Sequence, residues 1–183
     1  NKLSQIKAYI FDWDGVFNNG EKSKSGGSAF SEVDSMGINL LRFSWFLSRG
    51  HLPLTAVLSG EKNDTAFHFS ERECFHYSLF KIPHKLKALT FLCEKENLKP
   101  EEIAYFFDDV LDLPVAEVCG LRIQINQKAN PLFISYCIKH HLVDYLTASS
   151  GGEFALREAS ELLIGLNNNF DEVIHARVKN NLE

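Results

Sequence analysis

Three short apolar runs in this sequence each break off abruptly in polar residues. Ala8-Tyr9-Ile10-Phe11 ends in Asp12, Leu54-Thr55-Ala56-Val57-Leu58 ends in Ser59-Gly60, and Ile103-Ala104-Tyr105-Phe106-Phe107 ends in Asp108-Asp109. A short apolar run without polar alternation is what a strand covered on both faces looks like. Stretches with helical spacing lie between these runs. Met36, Leu40, Phe43 and Leu47 recur three and four apart over Ser35–Ser48, with Trp45 and Phe46 widening the face and Gly50 following as a stop. Residues Glu61–Arg72 read as a second helix and Cys74–Phe80 as a third strand. In His84–Glu96, Leu86, Leu89, Leu92 and Cys93 are expected inside, with Lys85, Lys87, Glu94 and Lys95 mostly outside.

The second half continues the pattern: a short helix over Leu113–Val118, a strand over Leu121–Ile125, and a helix opened by Pro131. A last short strand over Asp144–Thr147 and a helix over Glu153–Leu166 follow. Alternating strands and helices with buried strands imply a parallel sheet flanked by helices, an α/β doubly wound domain. The polar segment Asn18–Asp34, with Gly26-Gly27 near its middle, predicts a β-hairpin projecting from the body, a plain loop being its competitor. The tail after Asn167 is polar and is expected to fray or to dock on a neighbour.

At 183 residues the chain suits one domain, here 1–183. A net charge of −5 argues against a general nucleic-acid binder, and no apolar run is long enough to span a bilayer. No basic segment leading into an apolar one opens the sequence, so a soluble protein without an export signal is expected. The cysteines at 74, 93, 119 and 137 form no C-x-x-C pair and sit among apolar neighbours. They read as reduced core residues, in keeping with the cytoplasm. The histidines show no metal-ligand spacing, and His140-His141 reads as surface.

The chemistry starts at Asp12-Trp13-Asp14-Gly15. In extended backbone residues i and i+2 point the same way, so both carboxylates can converge on one small volume. Two anions held so close need a shared proton or a cation between them. Either a metal site or a nucleophile paired with an acid/base follows, unless the segment is a solvated turn. Ligands of doubly wound sheets sit outside the carboxyl ends of the strands. Asp12/Asp14, Ser59/Gly60 and Asp108/Asp109/Asp112 all lie at such ends. Taken singly, Ser59-Gly60 could cap a helix, Lys85 could face solvent, Asp108-Asp109 could cap the next helix, and Arg157 could be an ordinary surface arginine.

Taken together, Asp12-x-Asp14-Gly15, Ser59-Gly60, Lys85 and Asp108-Asp109-x-x-Asp112 resemble the four ordered motifs of the haloacid dehalogenase (HAD) superfamily of phosphotransferases. Residues 11–20 (FDWDGVFNNG), 34–38 (DSMGI) and 151–158 (GGEFALRE) further resemble its capless branch that dephosphorylates 3-deoxy-2-keto sugar acids, including 3-deoxy-D-manno-octulosonate 8-phosphate of lipopolysaccharide biosynthesis. The resemblance spans roughly residues 5–166. It implies a Rossmann-like fold without a cap domain and a cytoplasmic homotetramer built partly by the hairpin. It also implies hydrolysis of a phosphorylated sugar acid with Mg2+ as cofactor.

By the same resemblance Asp12 is the nucleophile and Asp14 the acid/base, while Ser59 and Lys85 grip the phosphoryl group. Asp12, the Asp14 carbonyl and Asp108 hold the metal, with Asp109 and Asp112 in support. Gly60, Glu61, Lys62 and Arg157 bind the substrate, and the Gly151-Gly152 segment reaches a neighbouring subunit's site. Three positions depart from the pattern. Glu61-Lys62 replaces the Gly-Arg step usual after Ser-Gly in the octulosonate enzymes and looks more like the branch acting on nonulosonate 9-phosphates. Phe107 and Phe154 stand where glycines are usual; they support the alternative of a catalytically weakened relative serving as a binding or assembly module. A signalling receiver domain ranks last, because its phosphorylated aspartate would end the third strand and Cys74–Phe80 ends without one.

Overall fold

The structure is a computed structural model describing residues 2–24 and 27–180. Six parallel strands form one sheet in the order β3-β2-β1-β4-β5-β6. They are β1 (Ala8–Phe11), β2 (Leu54–Leu58), β3 (Tyr77–Leu79), β4 (Ile103–Phe107), β5 (Leu121–Asn126) and β6 (Tyr145–Ser150). The seven helices among the described residues are α1 (Glu32–Arg49), α2 (Asp64–Arg72), α3 (Lys85–Glu96), α4 (Leu113–Ala116), α5 (Pro131–Lys139), α6 (Ala155–Leu166) and α7 (Phe170–Asn180). None of them is long and apolar enough to cross a membrane.

Side chains alternate across β1 and β4 with the period of two that a pleat imposes. Tyr9, Phe11 and Phe106 enter a core shared with α1, α2, α6 and α7, whereas Ile10, Tyr105 and Phe107 enter one shared with α3 and α4. Phe11 stacks on Phe106 at 4.5 Å and Trp13 on Phe17 at 4.3 Å. Such ring pairs contribute roughly 0.5–1.5 kcal/mol each beyond the area they bury. They anchor the residues on either side of Asp12, whose N–H continues the ladder to the Phe106 carbonyl at 2.9 Å. From β1 the chain steps outward to β2 and β3, then returns to the other side of β1 as β4. The crevice between β1 and β4 is therefore the topological switch point, the place where such sheets bind ligands.

Several elements differ from the sequence reading, each for a local reason. The described part of the segment preceding α1 is a loop without a ladder, although the Ser23 N–H bonds the Gly27 carbonyl at 2.7 Å. A two-stranded ribbon is marginal without a third strand to pair with. The tip at Gly26 lies outside the described residues. Asn63 caps α2 with its side chain, so that helix starts at Asp64 and not at Glu61. Cys74 is exposed, on a left-handed turn after α2, while the other cysteines are buried. Met36, expected inside, faces outward, as do Phe46 and Leu86; Leu40 and Trp45 are buried as expected, and Ile38 and Leu41 join them in the core. The tail folds as α7 and docks on α1: Val173 is buried, and Asn169 exchanges hydrogen bonds with Ser44 at 2.7 and 3.0 Å.

The packing of α1 against α6 accounts for two of the sequence's marked segments. A Cβ on Gly37 would lie 2.9 Å from the Arg157 Cα, so only glycine lets the helices approach this closely. Asp34, fully buried on α1, accepts the Arg157 N–H at 2.9 Å and so satisfies one open donor at the start of α6. Burial outweighs that bond and pushes the Asp34 carboxyl up to about 6. Because the folded value lies above the ordinary carboxylate value, the stability this proton provides is complete below about pH 4 and lost as pH rises through about 6. Asp34→Asn is expected to gain stability relative to the native chain as pH rises from about 4 to 7. Thermal melts of both proteins across that range test this, and a pH-independent difference would contradict it.

Candidate active site

The switch-point crevice is a cavity of about 490 Å³ lined by Asp12, Asp14, Gly15, Ser59, Gly60, Glu61, Lys85, Asp108, Asp109, Asp112, Gln127 and Asn130, among others. The ends of β1, β2, β4 and β5 and the first turn of α3 supply these residues. One oxygen each from Asp12, Asp108 and Asp112 can be chosen so that all three lie within 4.8 Å of one another. The positions at 12 and 108 are thus close enough to share an ion.

Lys85 organises this cluster. Its ammonium sits 2.6 Å from Asp12 Oδ1 and 2.6 Å from Asp112 Oδ1, and its side chain is only 11% exposed. The solvated-face reading of Lys85 is therefore wrong: the turn into α3 aims it at the sheet's rim. Burial pulls the ammonium's pKa down, but Asp12 and Asp112 outweigh it and hold Lys85 above the ordinary lysine value. Burial and then the Asp112 charge raise the Asp12 carboxyl against the pull of Lys85. Burial and the Asp12 charge raise Asp108. One ammonium does not neutralise this many buried carboxylates.

The donor set shows where a cation fits. Asp112 is already satisfied, with Oδ1 taking bonds from Lys85 and from the Tyr105 hydroxyl at 2.5 Å, and Oδ2 one from the Asp109 N–H at 3.4 Å. It serves to hold Lys85. Asp108 has a buried Oδ1 with no hydrogen-bond partner, an arrangement that costs free energy unless something positive faces it. Gly15 leaves the space, since a Cβ there would stand 1.9 Å from Asp108 Oδ2, and its φ of +83° suits glycine. Hard carboxylate oxygens in this arrangement fit magnesium.

Other expected residues fall differently. Asp14 lies outside the three-carboxylate cluster; Ser28 Oγ donates to its Oδ1 at 2.5 Å and Lys22 stands 3.2 Å from its Oδ2. Asp109 spends its carboxylate capping the turn at Val110. Ser59 is buried at the rim and Glu61 is exposed on the lip, but Lys62 points away and pairs with Asp64 at 2.9 Å. Arg157 does not line the cavity and is held by Glu161 at 2.7 Å on α6. Gly151 and Gly152 lie against Gly15, Asn18 and Asn19 of the same chain. Phe107 projects to the opposite side of the sheet, stacked with Tyr105 at 5.9 Å, so its bulk never enters the cleft. Phe154 adopts the left-handed φ of +67° that explains a glycine preference there.

Sequence reasoning missed Gln127 and Asn130. Gln127 Nε2 donates to the Gly15 carbonyl at 2.6 Å and to Asp108 Oδ2 at 3.2 Å, and Asn130 Nδ2 to the Asp108 carbonyl at 3.4 Å. Both follow the carboxyl end of β5, the same positional signal that picked out the aspartates.

Buried aspartates and a lysine at the switch point of a parallel sheet define a phosphoryl-transfer site of the aspartate-nucleophile kind. The comparisons with known proteins agree. No family model matches the chain. Its sequence is 31% identical to 3-deoxy-D-manno-octulosonate 8-phosphate phosphatase KdsC of Escherichia coli (strain K12), over 93% of this chain and 86% of that protein. The same-named protein of Haemophilus influenzae is 28% identical over 89% and 85%. The crystal structure of the Moraxella catarrhalis 3-deoxy-D-manno-octulosonate 8-phosphate phosphatase, in complex with magnesium, phosphate and KDO, superposes with a TM-score of 0.78. That match has 25% identity and covers 96% of this chain and 95% of that one. The chain belongs to the 3-deoxy-D-manno-octulosonate 8-phosphate phosphatase family of the HAD superfamily.

If Asp108 Oδ1 faces a cation, magnesium binding stabilises the fold. At a hundredfold excess over Kd the linkage is about 2.7 kcal/mol, or roughly 5–10 °C in Tm for a chain of this size. Asp108→Asn is expected to lose that rise and, in chelator, to melt no lower than the native chain because a repelling charge is gone. Melting curves with and without Mg2+ check both statements.

Proposed function

We propose that this protein is a magnesium-dependent phosphatase that hydrolyses a phosphorylated 3-deoxy-2-keto sugar acid of eight or nine carbons through an aspartyl-phosphate. The observation that carries this reading is the Asp12 carboxylate, held by Lys85 at 2.6 Å beside the unpartnered Asp108 oxygen in an open cleft. Lys85 fixes Oδ1 of Asp12 and leaves Oδ2 to attack phosphorus. As the bond from phosphorus to the sugar oxygen breaks, Asp14 gives that oxygen its proton. Water then attacks the aspartyl-phosphate, Asp14 takes the proton, and inorganic phosphate leaves Asp12 free. Lys85 and Ser59 sit where the spread negative charge of the phosphoryl group needs donors. Asp12, Asp108 and the Asp14 carbonyl would hold magnesium, whose charge would offset that of the phosphoryl group and of the buried carboxylates.

The weakened-relative alternative loses its main support, because Phe107 leaves the cleft open and every carboxylate the chemistry needs lies on the rim. Two finer points belong to the same proposal. The protein works in the cytoplasm, and it assembles as a homotetramer in which the α6 end, including Arg157, serves a neighbour's cleft. The position of Arg157 outside its own cavity supports the second point.

Release of inorganic phosphate from eight- and nine-carbon keto-acid phosphates, with and without magnesium, tests the reading. Asp12→Asn is expected to abolish turnover with the fold retained; an active D12N protein would remove Asp12 as the nucleophile. Glu61, on the lip, would repel a substrate carboxylate and accept bonds from sugar hydroxyls. Glu61→Arg is therefore expected to change the ratio of kcat/KM between the two substrates, and an unchanged ratio would exclude Glu61 from substrate selection.

A further inference from the structure

The carboxylate of Asp14 is held by a chain of buried groups, two of which, Ser28 and Asn63, lie outside every motif. Ser28 is 3% exposed, Asn63 1% and Trp13 fully buried. Ser28 Oγ lies 3.2 Å from Trp13 Nε1, 2.7 Å from Asn63 Nδ2 and 2.5 Å from Asp14 Oδ1. The direction of each bond follows from the chemistry of its members. An indole N–H can only donate. Asn63 has its carbonyl oxygen committed, because as the cap of α2 its Oδ1 accepts the Ala66 N–H at 3.1 Å. Its amide nitrogen is therefore the atom that faces Ser28, and it too donates. Both lone pairs of the Ser28 oxygen are then occupied, and the hydroxyl proton has one place left to go: Asp14 Oδ1.

We propose that Ser28, oriented by Trp13 and Asn63, is the positioning residue that fixes the Asp14 carboxylate for proton transfer. The hydroxyl pins Oδ1 and sets the plane of the carboxylate, leaving Oδ2 to give the proton to the departing oxygen and to take it back from water. Among the described residues Lys22, whose side chain is 38% exposed, also faces Asp14, 3.2 Å from Oδ2. The rigid constraint thus comes from the side of α2, which ties the acid/base to a helix cap. This inference rests on the phosphatase reading above, in which Asp14 moves the proton.

The test separates the two claims by leaving group. A sugar-alkoxide leaving group needs its proton, whereas 4-nitrophenolate leaves without one. Ser28→Ala is expected to lower kcat/KM on the keto-acid phosphate, which reports the first phosphoryl transfer and not the later hydrolysis of the aspartyl-phosphate, by about tenfold or more, a part of what general acid/base catalysis supplies. On 4-nitrophenyl phosphate kcat/KM should change less than about twofold, and Ser28→Thr, which restores the hydroxyl, should recover most of the loss.

Asn63→Asp provides the second arm. Aspartate caps a helix as well as asparagine does, so Tm should hold. Its carboxylate has no N–H to give and competes with Asp14 for the Ser28 proton, so the same selective loss is expected. Equal losses of kcat/KM on both substrates, or none, in S28A and N63D would overturn the proposal. A native protein that hydrolyses neither phosphate would overturn the phosphatase reading, and this inference with it.

Discussion

The two short ion pairs of Lys85 are the contact on which the site depends. Asp12 and Asp112 come from opposite sides of the switch point, one just after β1 and the other just before α4, and a single ammonium stands 2.6 Å from each. Without it the rim of the sheet would hold buried carboxylates with nothing between them, a cost of several kcal/mol per unpaired charge. With it, Asp112 and Tyr105 are satisfied, one oxygen of Asp12 is fixed, and the remaining deficit is concentrated on Asp108. The repulsion among these carboxylates gives a divalent ion a reason to bind there.

The fold delivers these groups through simple topology. A strand at the middle of a parallel sheet has its backbone bonds satisfied on both sides, and its side chains are fully buried along its length. The first residue that can meet solvent is the one beyond the last rung, and in β1 that residue is Asp12. The register that pairs Phe11 with Phe106 then sets Asp108 just past it on the neighbouring strand. Aromatic packing beneath, by Phe11, Phe106, Trp13 and Phe17, makes that edge stiff.

Much of this was legible in the residues alone. The bounds of β2 and β4 fall where the apolar runs begin and end, because a buried strand is mostly apolar and its edge is marked by the first aspartate or serine. Asp12, Ser59, Lys85 and Asp108 were singled out because three of them stand at strand ends and the order of all four forms a resemblance that spans nearly the whole chain. Less legible were features that depend on rotation or on a partner from far along the chain. The inward face of α1 is set by the close approach of α6 at Gly37, not by the best apolar stripe, so Met36 ends outside and Asp34 inside. Asp34–Ile38 and Gly151–Glu158, singled out as separate motifs, meet each other across that contact. Phe107 read as an obstruction because one letter does not say which face of a strand it occupies.

Sequence alone determined the alternation of buried strands and helices, hence the parallel sheet, and the chemical types gathered at its rim; both follow from local burial and spacing. Tertiary structure alone decided which carboxylates converge at the rim, that Lys85 turns inward, and that Gln127, Asn130 and Ser28 reach them. Those outcomes hang on contacts between residues 14 to 112 positions apart. Electrostatic and hydrogen-bond energies vary steeply over one or two ångströms, which no pattern along the chain encodes.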